Sequence, residues 1–230
     1  EVLTRIVDEN GDIILPGEFF TMAINSGKAM DVDIYVIESI IRMLADKPDP
    51  NMKLFIKLNR QTVTDPDFPI WILNRIKEYQ IKAQQLVFEV PETILDSELK
   101  NMSMLSKALE GVGCGLAIEH YRLDAGLQHL QHIKADNIKI DSGLIQNISN
   151  KSECLSKVRE IVNFTRQHNY LTVAEGVESP ASLSILYELG IDYAQGYFIQ
   201  APSGDIKYQV EEIVSEDDSL DSHKATFTIS

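Results

Sequence analysis

Residues 171–189, LTVAEGVESPASLSILYEL, place a strand pattern directly before a helix pattern. The apolar and β-branched run Leu171–Ala174 predicts a short buried strand, and Pro180–Leu189 has the apolar period of a helix. The polar segment Glu175–Glu178 lies between them. A chain that repeats this unit is expected to pack helices around a mostly parallel sheet.

The same alternation extends over most of the chain. Further strands are predicted near Val2–Val7, Lys53–Leu58, Gln85–Val90, Gly115–Ile118, Asn137–Ile140 and Ile191–Ala194. Further helices are predicted at Asp31–Ala45, Ile70–Tyr79, Asp96–Glu110 and Ser142–His168, with Asp31 or Asp33 as N-cap of the first. These strands, with one more upstream of Glu1, favour an eight-stranded α/β barrel over an open doubly wound sheet.

The chain carries a strong negative charge, because 21 Lys and Arg face 35 Asp and Glu and give a formal net charge of −14. A field of that sign repels duplex DNA and RNA, so a phosphate ligand has to be small and held by local cations. No GxGxxG or GxxxxGK[ST] loop follows a predicted strand, which argues against Rossmann and P-loop sites.

The two cysteines, Cys114 and Cys154, lack the spacing of a zinc site or disulfide framework, and we expect reduced thiols. The sequence has no apolar run of membrane-spanning length and no signal peptide at its start, which favours the cytosol. The abrupt start at Glu1 predicts that the parent protein continues upstream.

The pattern changes near residue 203. Residues 1–203 are predicted to form the barrel, and residues 204–230 a C-terminal helix and an acidic tail. The tail is expected to end in a short strand, in which Ala225, Phe227 and Ile229 share one face.

Polar side chains follow most of the predicted strands. They are Asn59, Glu89, Glu119 with His120, Lys139 with Asp141, Glu175 and Gln195. Taken singly, each is better explained as a polar group that caps a strand or as a surface charge. Together they indicate a site, because strand ends of an α/β barrel meet at one mouth, where such folds place their sites. Carboxylates with an Asn suit Mg²⁺ or Mn²⁺, and a Lys beside them can orient or deprotonate a water.

Several short motifs, in order along the chain, resemble the EAL family. They are Glu1-Val2-Leu3 with Arg5, Pro16-Gly17-Glu18-Phe19, Phe88-Glu89-Val90-Pro91-Glu92, Lys139-Ile140-Asp141, Glu175-Gly176-Val177-Glu178, and Gln195-Gly196-Tyr197 with Pro202. The resemblance implies a TIM-like (β/α)8 barrel whose first, antiparallel strand lies upstream of Glu1. It also implies cyclic di-GMP as ligand and, in active members, two-metal hydrolysis to the linear dinucleotide.

The resemblance also assigns roles to residues. Glu1, Asn59 and Glu89 fall on metal-ligand positions, Glu175 on the essential carboxylate, and Lys139 on the lysine beside the reacting water. The residues expected to bind cyclic di-GMP are Leu3, Arg5, Asn59, Lys139, Glu175, Gly176, Glu178, Gln195, Gly196 and Pro202.

One motif departs from the family. Active members carry DDFG where this chain has Glu119-His120-Tyr121-Arg122, and the segment up to Asp141 is one residue shorter. Paired metal ions about 3.5–4 Å apart need bridging oxygen ligands, and His120 replaces one such oxygen with a ring. We therefore expect no metal at Glu1, Asn59, Glu89 and Glu119, no required cofactor, and only vestigial roles for Lys139 and Glu175 in catalysis.

These departures resemble the degenerate EAL members that act as receptors. The resemblance implies a non-catalytic cyclic di-GMP receptor that contacts a PilZ-type adaptor protein controlling type IV pili or twitching motility. Two alternatives stay open: an active phosphodiesterase that uses Mg²⁺ or Mn²⁺, and a protein scaffold without ligand.

Overall fold

The computed structural model describes residues 1–7, 12–47, 49–124 and 126–202. The predicted C-terminal helix, acidic tail and terminal strand at 204–230 lie outside the described residues.

The alternation of strands and helices is present throughout the described residues. The strands there are β1 (Ile6–Val7), β2 (Ile13–Ile14), β3 (Leu54–Lys57), β4 (Leu86–Pro91), β5 (Gly115–Tyr121), β6 (Asn137–Ile140), β7 (Leu171–Ala174) and β8 (Tyr193–Ala194). The α-helices there are α1 (Pro16–Asn25), α2 (Ala29–Asp46), α3 (Arg60–Thr64), α4 (Phe68–Tyr79), α5 (Leu95–Val112), α6 (Ser142–Gln146), α7 (Ser152–His168) and α8 (Pro180–Leu189). Short 3₁₀ segments occupy Ala83–Gln85, Glu92–Ile94 and Leu127–His132.

The main sheet has the strand order β3-β4-β5-β6-β7-β8, so that neighbours in the sheet are neighbours in sequence. The pairs β3–β4, β6–β7 and β7–β8 are parallel. Helical crossovers between such strands are the βα repeat that the sequence predicts.

The chain divides into two compact units. The first comprises Glu1–Ala117 and Gln128–Ala135, and the second comprises Ile118–Leu127 and the described residues from Asp136 onward.

The core of the first unit lies between its helices and strands β3 and β4. Helix α2 buries the stripe Ile37, Ile40, Ile41 and Leu44, and it packs against α1, α3 and α4. Burying an Ile or Leu side chain contributes about 1.5–3 kcal/mol, so this stripe is a main reason for the helix to form.

Helix α2 begins before the predicted N-caps. Its first residue is Ala29, with Lys28 at the N-cap position. Asp31 forms an exposed ion pair with Lys28 at 2.8 Å, and Asp33 is buried on the inner face of the helix. Both candidate N-caps are therefore wrong, because both lie inside the helix.

The core of the second unit is formed by apolar side chains of its strands and helices. Ile138, Ile140 and Ala174 of the strands are fully buried, as are Val158 and Ile161 of α7. The single helix predicted at Ser142–His168 is two helices. Helix α6 ends at Gln146. The side chain of the next residue, Asn147, donates to the carbonyl of Gly143 at 2.8 Å, and the Asn147 carbonyl accepts from the amide of Lys151 at 2.9 Å.

The start of the chain differs from its prediction. Residues 1–5 are not part of a strand, although the amide of Val2 donates to the carbonyl of Phe55 in β3 at 2.8 Å. The only regular strand within the predicted Val2–Val7 is β1, which pairs with β2 in an antiparallel register.

Every helix in the part of the chain that the structure describes is too short or too polar to cross a membrane.

Candidate functional site

In the first unit, Asn59 follows β3 and caps helix α3. Its Oδ1 accepts from the amide of Gln61 at 2.7 Å and more weakly from that of Thr62 at 3.4 Å. Its Nδ2 donates to Asp33 Oδ2 at 2.5 Å and to Thr62 Oγ1 at 3.3 Å. Each polar atom of this side chain therefore has a protein partner, and its orientation is fixed.

Asp33 holds Asn59 in that orientation. Besides Asn59 Nδ2, its Oδ2 accepts from the Asn59 amide at 2.8 Å and from Thr62 Oγ1 at 2.6 Å. Asp33 is 2% exposed, and burial raises the pKa of its carboxyl to about 6, although the hydrogen bonds from Thr62 and Asn59 oppose the rise. Sequence reasoning missed this residue as part of the site. The available signal is a carboxylate four residues before Ile37, on the buried stripe of α2.

Glu1 and Glu89, both at predicted metal-ligand positions, belong to the first unit. Glu1 Oε1 lies 3.2 Å from Lys57 Nζ, and Lys57 is paired in register with Glu89 across β3 and β4. Glu89 is completely buried. Lys57, which the sequence analysis did not identify, therefore lies beside these carboxylates.

A cavity of about 300 Å³ opens beside this start of the chain. Leu3 and Arg5, both predicted to contact the ligand, line it together with Lys57, Asp33 and Phe20. Arg5 is exposed and donates from Nη1 to the Thr4 carbonyl at 2.8 Å. Two cations therefore border a cavity at the lower end of the range for small-molecule pockets, about 300–1,000 Å³.

In the second unit, Glu119 and His120 lie near the end of β5. Glu119 is buried, whereas half of the His120 side chain is exposed. The backbone of His120 has a φ of 53°, which places it in the left-handed region. Few residues other than glycine adopt that region, and histidine is among those that do so more often.

Three carboxylates surround the His120 ring. Its Nδ1 is 3.1 Å from Glu175 Oε2 and 3.9 Å from Asp141 Oδ2, and its Nε2 is 3.6 Å from Glu119 Oε2. The other oxygen of Glu175, Oε1, is 3.2 Å from Lys139 Nζ. Lys139 and Glu175 are 1% and 5% exposed, so this ion pair is buried. The structure brings the predicted residues Glu119, Lys139 and Glu175 together.

The remaining predicted residues of the second unit follow β7 and β8. The Val177 amide donates to the Gln195 carbonyl at 3.0 Å, and the Gln195 amide donates to the Ala174 carbonyl at 2.9 Å. Gly196 lies against Val177, because an added Cβ would be 2.3 Å from the Val177 nitrogen. These hydrogen bonds join the segment after β7 to the segment after β8.

Gly176, Glu178 and Pro202 complete the predicted set. Gly176 has a φ of 67° and packs so closely that an added Cβ would be 2.6 Å from the Cβ of Ser142. The Glu178 side chain accepts from Gln146 Nε2 at 2.8 Å. Pro202 is exposed.

The residues of the second unit fit a pair of Mg²⁺ ions poorly. Ligand atoms of Glu119, His120 and Glu175 lie within 4.8 Å of one another, a set that could surround one cation. However, one of the three donors is an imidazole, and Mg²⁺ prefers oxygen. Protein nitrogens also lie close to both Glu175 oxygens, with Lys139 Nζ 3.2 Å from Oε1 and His120 Nδ1 3.1 Å from Oε2.

Comparison with known proteins gives consistent matches. The sequence model of the EAL domain family matches residues 1–202. The chain is 33% identical over 205 residues to the cyclic di-GMP phosphodiesterase PdeF of Escherichia coli (strain K12), over 88% of this chain and 27% of PdeF. The chain therefore spans about a quarter of the length of this curated relative.

Solved structures resemble the chain over most of its length. The FimX EAL domain from Pseudomonas aeruginosa bound to c-di-GMP has 28% identity and a TM-score of 0.84, over 90% of this chain and 84% of that one. The Xanthomonas citri FimX EAL domain in complex with c-diGMP has 24% identity and a TM-score of 0.83, over 90% of this chain and 83% of that one. The similarity confirms the predicted TIM-like α/β fold of EAL type.

Proposed function

Because the chain belongs to the EAL domain family, we propose that it binds cyclic di-GMP as a receptor and does not hydrolyse it. The FimX domain, which has 28% identity over nine-tenths of this chain, is bound to this dinucleotide in its solved structure. PdeF, at 33% identity, is by name a phosphodiesterase of the same compound. Relatives of both kinds support cyclic di-GMP as the ligand.

The proposal that the chain does not hydrolyse cyclic di-GMP rests on the environment of Glu175. This carboxylate, at the essential position of the family motif, has one oxygen beside Lys139 and the other beside His120. A divalent ion in active relatives supplies a nucleophilic water and stabilises charge on the phosphate. Here the two oxygens of the same carboxylate lie 3.2 Å from Lys139 Nζ and 3.1 Å from His120 Nδ1, and this proximity supports binding without metal.

Arg5, Leu3 and Asn59 are among the proposed ligand contacts. A guanidinium can pair with a phosphate through two parallel hydrogen bonds, and Arg5 is exposed at the cavity edge to do so. Leu3 is 43% exposed at the same cavity and offers apolar surface to a base.

The other proposed ligand contacts are Lys139, Glu175, Gly176, Glu178, Gln195, Gly196 and Pro202. Glu178 is exposed and already oriented by Gln146, and a carboxylate can accept hydrogen bonds from the amino group and ring N–H of a guanine. Because Gly176 and Gly196 have no side chain, their backbone can approach other groups closely, and this suits a segment that contacts a ligand.

A metal-dependent phosphodiesterase is the second candidate. It is favoured by the placement of Glu119, His120 and Glu175, whose ligand atoms are close enough to share one ion. Mg²⁺ or Mn²⁺ would then be the required cofactor. A scaffold without ligand is the third candidate, and it has no specific support in the described residues.

The proposed partner is a PilZ-type adaptor protein, in a cytosolic signalling system for type IV pili or twitching motility. The proposed partner and pathway are supported by the sequence resemblance to degenerate EAL receptors. Co-purification of the chain with a PilZ protein, with and without cyclic di-GMP, is the direct test of it.

Calorimetric titration with cyclic di-GMP, in the presence of EDTA and separately of Mg²⁺, tests the receptor function. We expect saturable binding with the same affinity in both buffers. Binding that appears only with Mg²⁺ would support the phosphodiesterase, and no binding in either buffer would support the scaffold.

A further inference from the structure

We propose that the His120 imidazole takes the place of a divalent cation among Glu119, Asp141 and Glu175, so that the chain excludes metal with its own side chain. This inference rests on the proposed receptor function. It adds which residue excludes the metal and which substitution should allow a metal ion to bind.

The first argument is the position of the ring. Its two nitrogens face different carboxylates, with Nδ1 3.1 Å from Glu175 and Nε2 3.6 Å from Glu119, and Asp141 lies 3.9 Å from Nδ1. A group that several acidic side chains approach from different directions occupies the place where a cation would otherwise be held.

The second argument is the backbone that puts the ring there. Consecutive residues of a regular strand point to opposite faces. Glu119 and His120 are consecutive in β5, yet their side chains reach one another and His120 also reaches Glu175. The left-handed backbone of His120, at a φ of 53°, breaks the alternation. This conformation turns the ring towards the carboxylates.

The third argument is the exposure of the groups beside Glu175; Arg122, about half exposed, lies beside the neighbouring Asp141, 3.8 Å from its Oδ1. Lys139, beside Oε1 of Glu175, is almost completely buried, whereas half of the His120 side chain, beside Oε2, is exposed. A metal ion that approached Glu175 would have to displace His120 first. Removing this ring is therefore the smallest change that could open the position to a cation.

Titration with Mn²⁺ in the absence of nucleotide, followed by the electron paramagnetic resonance signal of the free ion, tests the proposal. We expect negligible binding by the unmodified chain. His120→Asp supplies an oxygen donor and should bind Mn²⁺ at least about tenfold more tightly, a change of about 1.4 kcal/mol. His120→Gly tolerates the positive φ without a side chain and should also gain binding.

His132→Asp is the matched control. It makes the same substitution at an exposed histidine that does not belong to the group Glu119, His120 and Glu175. It should leave Mn²⁺ binding unchanged. Circular dichroism of each variant establishes that it is folded before titration.

Two results would overturn the proposal. If the unmodified chain bound Mn²⁺ and His120→Gly lost this binding, His120 would be a metal ligand. If neither His120 variant gained binding, some other group would exclude the metal. Both results leave the calorimetric titration with cyclic di-GMP unaffected, so failure of this inference is separable from failure of the receptor function.

Discussion

At the scale of single residues, Asp33 connects a helix to a predicted ligand residue. Its carboxylate lies on the buried face of α2 and holds Asn59, which is 26 residues later in the sequence. Burial disfavours its charged form, and the pKa of its carboxyl rises from the usual 3.8 to about 6. The contribution of Asp33 to folding is therefore largest below about pH 3.8 and is lost as the pH rises through about 6.

Asp33→Asn should remove this pH dependence. Between pH 7 and pH 5 the free energy of unfolding of the unmodified chain should rise by about 1.4 kcal/mol relative to that of the variant, because folding favours the protonated carboxyl. Denaturant unfolding of both proteins at the two pH values measures the difference. A constant difference would contradict the raised pKa.

Arg5→Ala should weaken binding of cyclic di-GMP by roughly 1.5–3 kcal/mol, the scale of a hydrogen bond to a charged group. Calorimetric titration measures the loss. Arg159→Ala removes an exposed arginine from α7 and should leave the affinity unchanged. Equal affinities for the Arg5 variant and the unmodified chain would mean that the phosphate contact is misassigned.

At this scale, the sequence marks candidate residues where a predicted strand ends. The rule that polar groups follow strands identifies Glu119 and Glu175, which lie beside His120, and Lys139, which lies beside Glu175. It misses Asp33 and Lys57, because their roles come from contacts with Asn59 and Glu1, far away in sequence. The left-handed backbone of His120 likewise has no marker in sequence.

At the scale of elements, the sequence predicts strands with apolar runs best. The bounds of β6, β7 and α8 agree with the prediction, since each apolar pattern is flanked by polar or turn residues. Helix α3 was not predicted, because five residues are too few to show a helical apolar period. Its start also depends on capping by the Asn59 side chain. Helices α6 and α7 separate at a turn that an apolar period cannot reveal.

The contact between the segments after β7 and β8 should tolerate no side chain at Gly196. A Cβ there would lie 2.3–2.4 Å from backbone atoms of Val177, and the φ of 155° disfavours other residues. Gly196→Ala should therefore destabilise the chain by about 2–5 kcal/mol, the sum of overpacking and backbone strain. The midpoint of denaturant unfolding measures the effect.

Gly111→Ala provides the comparison. Gly111 lies in α5 with open space where an added Cβ would lie, and alanine favours helix. This variant should gain up to about 1 kcal/mol of stability. Similar losses in both variants would contradict the close packing at Gly196.

At the scale of the whole molecule, the repeated strand and helix patterns predict an α/β fold, and the ordered motifs indicate the family. The match of the EAL family over residues 1–202 and the TM-score of 0.84 to the FimX domain confirm both. Catalytic status is harder to predict from sequence, because it depends on a few atoms around one carboxylate. Partner choice depends on surfaces of other proteins, which leave no periodic pattern in this chain.

The most direct test of the central claim is product analysis after prolonged incubation of the chain with excess cyclic di-GMP and either Mg²⁺ or Mn²⁺. The receptor function predicts that chromatography recovers the cyclic dinucleotide intact. Accumulation of linear dinucleotide over many turnovers would contradict it and would identify the chain as a phosphodiesterase.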